Sequence, residues 1–393
     1  MQVVSGSRFR GLGAVALSFV LIAAVLYVVA GLSVDLMPHA TPEFEQIPHA
    51  FPEEPWLEGW VRWDAGWYWT IAEQGYTFTP GKQSPVVFFP AYPLAMKALA
   101  IVTGNVYLAG IIITFLSGMA CALLLFLWCR QRMTQRESLW AAALLVAYPF
   151  SFYLFGAVYS DALFVAAVIG AFLLLDHDHP LMAGVVAAIA TAARPVGVAL
   201  IIGLVIRAIE RRDALSKTRP WIRWQNLRPA DGGVLLSAGG LAGFAIYLWV
   251  KFGSPFVFLS AASAPGWDLD PGPATWFKKE FFRVVLDLPL SMQHLRLGSY
   301  ALITLGALAL VPKVLRRFGW GYAVYAFAVV AMPALSSKDF VGMARYVIAA
   351  FPCFAVAGGW LSSRRRVGIP LLTISVFLLL VMTSLFARRF YIS

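Results

Sequence analysis

The chain has 393 residues, 60% of them hydrophobic and 13% charged, with a formal net charge of +11. A mean hydropathy of +0.74 excludes an ordinary soluble domain, and apolar runs of about 20 residues, each able to cross a hydrocarbon core of roughly 30 Å, recur along its length. The positive charge falls between those runs, where the positive-inside bias accounts for it, so no nucleic-acid partner is implied.

In chain order, Arg8 and Arg10 precede an apolar run over 11–32. That run is longer than the roughly 7–15 residues of a signal h-region, which predicts an uncleaved first span with its N-terminus in the cytoplasm. Residues 33–105 form a long first extracytoplasmic loop. It begins Pro-rich and acidic, with Glu43, Glu45, Glu53, Glu54 and Glu58. It then becomes aromatic from Arg62 to Tyr76, turns at Thr79-Pro80-Gly81, and stiffens at Phe88-Phe89-Pro90-Ala91-Tyr92-Pro93. Residues 94–102 suit a short interfacial helix.

Spans are expected over 106–128, 139–155 and 157–175. Asp176-His177-Asp178-His179 reads as a solvated turn, since neighbouring residues in a tight loop seldom converge on one metal ion. The apolar stretch 181–209 is broken at Arg194-Pro195-Val196-Gly197. It leads into a basic cytoplasmic loop, 207–231, that carries Arg207, Arg211, Arg212, Lys217, Arg219, Arg223 and Arg228. The preceding Asp-His turn is also placed in the cytoplasm by the order of spans, and both assignments hold for a broken hairpin that enters the membrane and returns; one kinked span is the alternative. Further spans follow over 234–250, 299–311, 320–335, 347–361 and 368–387, with a second large extracytoplasmic loop at 252–297. The expected fold class is an all-α integral membrane protein, a bundle of about 10–11 transmembrane segments in a single domain over 1–393. Cys121, Cys129 and Cys353 lie within apolar runs and read as small buried hydrophobes. No metal-type spacing is present, and no cofactor is implied.

On this topology the polar residues collect at the extracytoplasmic side. Asp64 stands among Trp63, Trp67, Tyr68 and Trp69, with Gly66 leaving space beside it. The bland reading of those rings is an interfacial anchor. Arg194 lies about 21 Å into its segment at helical rise, and an intramembrane arginine is costly enough to suggest a role, although it could instead cap the carbonyls of the broken helix. Lys338 and Arg345 share the outer loop before the ninth span, where Arg345 could simply snorkel. A carboxylate with cations on one face suits a hydroxyl nucleophile and a phosphate leaving group. Asp64 is therefore the candidate catalytic residue, and Arg194, Arg345 and Lys338 the candidate phosphate ligands. Arg62, Trp63, Trp67, Tyr68, Glu73, Tyr92, Tyr159, Asp161 and Tyr346 are candidate substrate-binding or supporting residues. Of these, Glu73 also suits plain surface solvation, and Asp161 a helix cap.

Taken in order, Trp63-Asp64-x-Gly66-Trp67-Tyr68, Ile71-Ala72-x-x-Gly75-Tyr76, Phe88-Phe89-Pro90-x-Tyr92-Pro93, Tyr159-Ser160-Asp161-Ala162-Leu163-Phe164, Arg194-Pro195-x-Gly197 and Arg345-Tyr346…Phe351-Pro352 resemble the PIG-V family of membrane mannosyltransferases. The resemblance runs from about residue 60 to residue 355. It implies a GT-C fold, a polyprenyl-phosphate sugar donor (commonly mannose) and inversion at the anomeric carbon, with transfer to a hydroxyl of a lipid or glycan acceptor. The acceptor's identity is not carried over, because this chain is shorter than its eukaryotic relatives and has an acidic Pro-rich insert before Trp60. The resemblance also implies a cell-membrane enzyme whose active site is extracytoplasmic and whose general base is Asp64. Asp161 departs from the family's commoner Glu, which shortens that side chain by one methylene. A polyprenyl-lipid flippase is the rival reading, since it too would use broken helices and intramembrane arginine.

Overall fold

A computed structural model describes residues 11–40, 50–215, 221–269, 272–287, 289 and 291–392. Arg8, Arg10, Glu43, Glu45, Lys217 and Arg219 lie outside the described residues. The described chain is helical, and its only strand-like feature is an isolated antiparallel bridge between Leu215 and Ile222. The principal helices are α1 (Leu12–Leu36), α2 (Ala65–Gln74), α3 (Ala91–Thr103), α4 (Val106–Arg130), α5 (Gln135–Ala147), α6 (Asp161–Asp176), α7 (Pro180–Thr191), α8 (Val198–Arg211), α9 (Gly239–Phe252), α10 (Met292–Phe318), α11 (Trp320–Ser336), α12 (Phe351–Ser362) and α13 (Arg365–Ala387). Local signals set several of their ends. Asn105 caps α4 by accepting the Tyr107 and Leu108 N–H groups at 2.8 and 3.1 Å. Thr134 and Glu137 close a capping box on α5. Gly75, at φ +81°, ends α2 in a conformation that only glycine adopts cheaply.

Among the described residues, five helices are long and apolar enough to cross a membrane: α1, α4, Pro229–Phe252 (a 3-10 segment continuous with α9), α10 and α13. A sixth forms if the bent pair Met343–Ala349 and Phe351–Ser362 counts as one span. The other expected crossings correspond to shorter helices. Helices α5, α6, α7, α8 and α11 have 13, 16, 12, 14 and 17 residues. At 1.5 Å per residue they reach only about 18–26 Å. An apolar run measures burial as well as span length, and here several such runs are divided by Pro, Gly or an extended residue. The chain is a multi-pass integral membrane protein.

The chain divides into two compact units. The first comprises residues 1–75, 90–169 and 354–392. Its interior is aromatic: Phe19 stacks on Phe155 with ring centroids 4.4 Å apart, and the fully buried Trp60 packs against Tyr27 at 4.9 Å.

The second unit holds 76–89 and 170–353. Helix α7 packs so closely on the chain beginning at Pro229 that a Cβ on Gly184 would fall 2.0 Å from the Gly233 carbonyl oxygen. This unit also decides between the two readings of 181–209. Asp178, just before α7, pairs with Arg211 and Arg212 at the far end of α8, at 3.1 and 2.6 Å. A straight helix over 180–211 would hold those ends about 47 Å apart. The segment is therefore a helical hairpin, with Arg194 in the turn between α7 and α8. Arg212 also forks onto Asp231 at 2.9–3.1 Å, and Arg207 pairs with Asp176 at 2.9 Å. The Asp-His run is thus an ion-pair loop at the hairpin's base: Asp178 binds three arginines, and the guanidinium of Arg211 leads in holding its carboxyl below the usual carboxylate range.

Candidate active site

In the first unit the site is built outward from Glu58. This residue closes the one-turn helix Pro55–Glu58 and is 4% exposed. Its carboxylate accepts the Phe51 N–H at 2.8 Å and pairs with Arg62 at 3.1 Å. Arg62, 2% exposed, also donates to the Val61 carbonyl at 2.7 Å and, through Nε, to the Ala387 carbonyl at 2.9 Å. That last contact satisfies a C-terminal carbonyl of α13. Arg62 is thus tied into the packing of the first unit.

The next residue, Trp63, has φ +53°, a left-handed value that costs a bulky side chain of order 1 kcal/mol or more. The sharp turn it makes leads from buried Arg62 to Asp64, the residue at the head of α2. Asp64 makes no side-chain capping bond to its own helix. As the residue before Ala65, Asp64 stands at the positive end of the helix dipole. Its N–H donates to the Tyr159 hydroxyl at 3.2 Å. Tyr68, one turn further along α2, bonds Ser160 at 2.9 Å. The Trp63-to-Tyr68 and Tyr159-to-Asp161 motifs, nearly 100 positions apart in the chain, are thus held together through backbone and hydroxyl groups.

Beneath them, Tyr92 is fully buried, donating to the Gly110 carbonyl at 2.9 Å and bonding Thr114 at 2.8 Å. Thr114 in turn donates to the Ala157 carbonyl at 3.0 Å. Tyr92, Tyr159 and Tyr68 (0%, 2% and 5% exposed) are therefore built into the packing of the first unit. Asp161 is the first residue of α6 and 3% exposed, which also fits a supporting place. Trp63 and Trp67 are partly exposed, and Trp63 packs edge-on to Tyr391 at 5.0 Å. Glu73 lies nine residues along α2 from Asp64, about 14 Å away and on the opposite face of the helix. The two carboxylates do not form a pair.

In the second unit, Arg194 and Arg345 meet on Tyr346. Their guanidinium carbons stand 4.8 and 5.1 Å from the centroid of that ring. Two cations sharing one aromatic ring repel each other, and a doubly charged anion accepted by both would relieve that repulsion. The sequence places these arginines about 150 positions apart; the hairpin turn and the short helix Met343–Tyr346 bring them together. Lys338 is not part of this group. It pairs with Asp268 at 2.6 Å, and that bond leads in raising its pKa. Its charge is met by a carboxylate of the second large loop.

Sequence reasoning passes over Lys278. This lysine is 8% exposed, donates to the Ala334 and Ser337 carbonyls at the end of α11, and lies over the Phe340 ring at 4.7 Å. Burial pushes its pKa down to about 8. Nothing in its local sequence distinguishes it from the charged residues around it. Ser160 and Thr114 escape it too, although Ser160 lies between two of the candidate residues. Among the described residues, no group of three or more His, Cys, Asp or Glu is placed to hold a metal ion.

No protein-family model matches the chain, and no curated protein does. Solved structures do. Two structures of the Archaeoglobus fulgidus oligosaccharyltransferase align with a TM-score of 0.50 each: one tethered to an acceptor peptide containing the NVT sequon, the other in complex with Zn and sulfate. Identities are 14% and 15%, over 93% and 92% of this chain and 55% and 53% of the other. The chain spans about half the length of the protein it matches. The likeness is one of fold: an all-α, multi-spanning membrane bundle of the GT-C type.

Proposed function

We propose that the chain is an inverting glycosyltransferase of the PIG-V type. It moves a hexose, in our reading mannose, from a polyprenyl-phosphate donor to a hydroxyl of a lipid or glycan acceptor at the extracytoplasmic face. The observation that carries this reading is Asp64, placed at the head of α2 with its N–H held by the Tyr159 hydroxyl, beside the Tyr159-to-Asp161 motif. A carboxylate so placed can accept the acceptor's hydroxyl proton as the oxygen attacks the anomeric carbon. The bond from that carbon to the phosphate oxygen breaks on the opposite side, and the polyprenyl phosphate leaves with the electron pair. Arg194 and Arg345, already paired on Tyr346, would take up the charge developing on its oxygens. The matched fold belongs to an oligosaccharyltransferase, which supports glycosyl transfer as the class of reaction.

The test is sugar transfer from synthetic polyprenyl-phosphate-mannose by the full chain in nanodiscs. Asp64→Asn is expected to lower turnover by about 10²–10⁴, the range of a general base, with an unchanged unfolding temperature. Near-normal turnover in that variant would remove Asp64 as the base. Movement of the donor lipid across the bilayer without transfer would favour the flippase.

A further inference from the structure

Helix α2 borders a cavity on its second face. On the side opposite Asp64, in the first unit, this cavity of about 500 Å³ opens between the second half of α2 and the junction of α3 with α4. Its volume falls within the roughly 300–1,000 Å³ of small-ligand sites. Trp69 forms an aromatic wall, backed by Tyr107, whose ring lies nearly parallel (15°) at 6.3 Å. Glu73, one turn further along α2, and Asn105 add polar groups to the lining. The carboxylate of Glu73 is exposed and offers only acceptors. Asn105 spends its carbonyl oxygen capping α4, which leaves its amide NH₂ as the donor it can offer.

A flat ring beside one carboxylate and one amide matches a pyranose, which has an apolar C–H face and hydroxyls at its rim that both donate and accept. We propose that this cavity is a glycan-binding subsite, with Trp69 stacking a sugar ring while Glu73 and Asn105 read its hydroxyls. Since Glu73 lies about 14 Å from Asp64 along α2, the bound ring is not the one that reacts. The subsite holds a sugar further back in the acceptor, which makes the acceptor an oligosaccharide or glycolipid of more than one residue. This use of the site rests on the transferase reading. The binding itself does not.

The experiment separates the two. Mannotriose, maltotriose and chitotriose are titrated onto the full chain in nanodiscs and followed by saturation-transfer difference NMR. At least one should bind. Glu73→Gln and Trp69→Leu should each weaken that binding about tenfold, the upper end of an aromatic stack's worth, and Trp69→Phe by less. Asp64→Asn should bind normally while failing to transfer. In the transfer assay, the Trp69 and Glu73 variants should raise KM for the acceptor and leave KM for the donor lipid unchanged. If none of the three probes binds, or if both Trp69→Leu and Glu73→Gln bind as wild type does, the subsite is refuted. A wild type that transfers sugar but binds no trisaccharide refutes the subsite alone. An Asp64→Asn enzyme that still transfers refutes the base and leaves the subsite standing.

Discussion

Replacing Arg62 with Met should damage the fold more than the chemistry. The guanidinium is 2% exposed and serves three acceptors from different places: the Glu58 carboxylate at 3.1 Å, the Val61 carbonyl at 2.7 Å and the Ala387 carbonyl at 2.9 Å. Methionine fills most of the stem's volume, so the cavity term is small. The main cost is electrostatic, because the Glu58 side chain, only 6% exposed, loses its counter-charge in a site that excludes water. Removing one partner of a buried pair costs about 3–5 kcal/mol, whereas removing both is often close to neutral. Chemical denaturation in detergent should therefore show Arg62→Met strongly destabilised and Glu58→Gln/Arg62→Met recovering much of the loss. Arg62→Lys should recover little, since a point charge cannot reach Glu58 and Ala387 with the geometry of a planar fork. The reasoning fails if Arg62→Met unfolds within about 1 kcal/mol of wild type, or if the double variant falls by the sum of the two singles.

Arg194→Ala and Arg345→Ala should each lower kcat/KM for polyprenyl-phosphate-mannose by about 10²–10³, as loss of a charge-stabilising donor does; transfer kinetics check this. The Lys278 attachment carries an unusual pH dependence. Burial lowers its pKa from 10.5 to about 8, so between those values the unfolded chain binds more protons than the folded one. Stability should then rise as pH increases from about 8 to 10.5, and the rise should vanish in Lys278→Met, as thermal unfolding across that range will show. At the hairpin base, Asp231→Asn should destabilise more than Asp178→Asn in the same assay. Asp231 is 5% exposed and accepts from both Nε and a terminal nitrogen of Arg212, whereas the Asp178 side chain is 46% exposed and shares that terminal nitrogen.

Several features are legible in the sequence alone. Long apolar runs identify a membrane protein because a bilayer has a set thickness. The order of spans puts the Asp-His turn before 181–209 in the cytoplasm and the basic loop after it belongs there too, which favours a hairpin over one kinked span. Asp64 draws notice because a lone carboxylate among tryptophans is chemically out of place. Helix counting is less dependable: it tallies apolar runs such as 139–155, where the structure has a 13-residue helix and a short 3-10 segment, Ser151–Leu154.

The roles of the residues around Asp64 are not legible there, for a consistent reason. Type and spacing show that Arg62, Tyr92 and Lys338 are polar and near the right motifs. They do not show which acceptors each will meet once the chain is folded. Arg62 finds Ala387, 325 positions away; Lys338 finds Asp268; Tyr92 finds Thr114 and the Gly110 carbonyl. Trp69 and Asn105 meet at one cavity only because α2 packs beside the α3–α4 junction. By itself the sequence determined that this chain lives in a membrane and that a carboxylate and two arginines stand in chemically costly places, because hydropathy and charge act locally. Only the tertiary structure decided which acceptors and counter-charges each polar group meets, because hydrogen bonds and ion pairs form between residues that the chain order keeps apart.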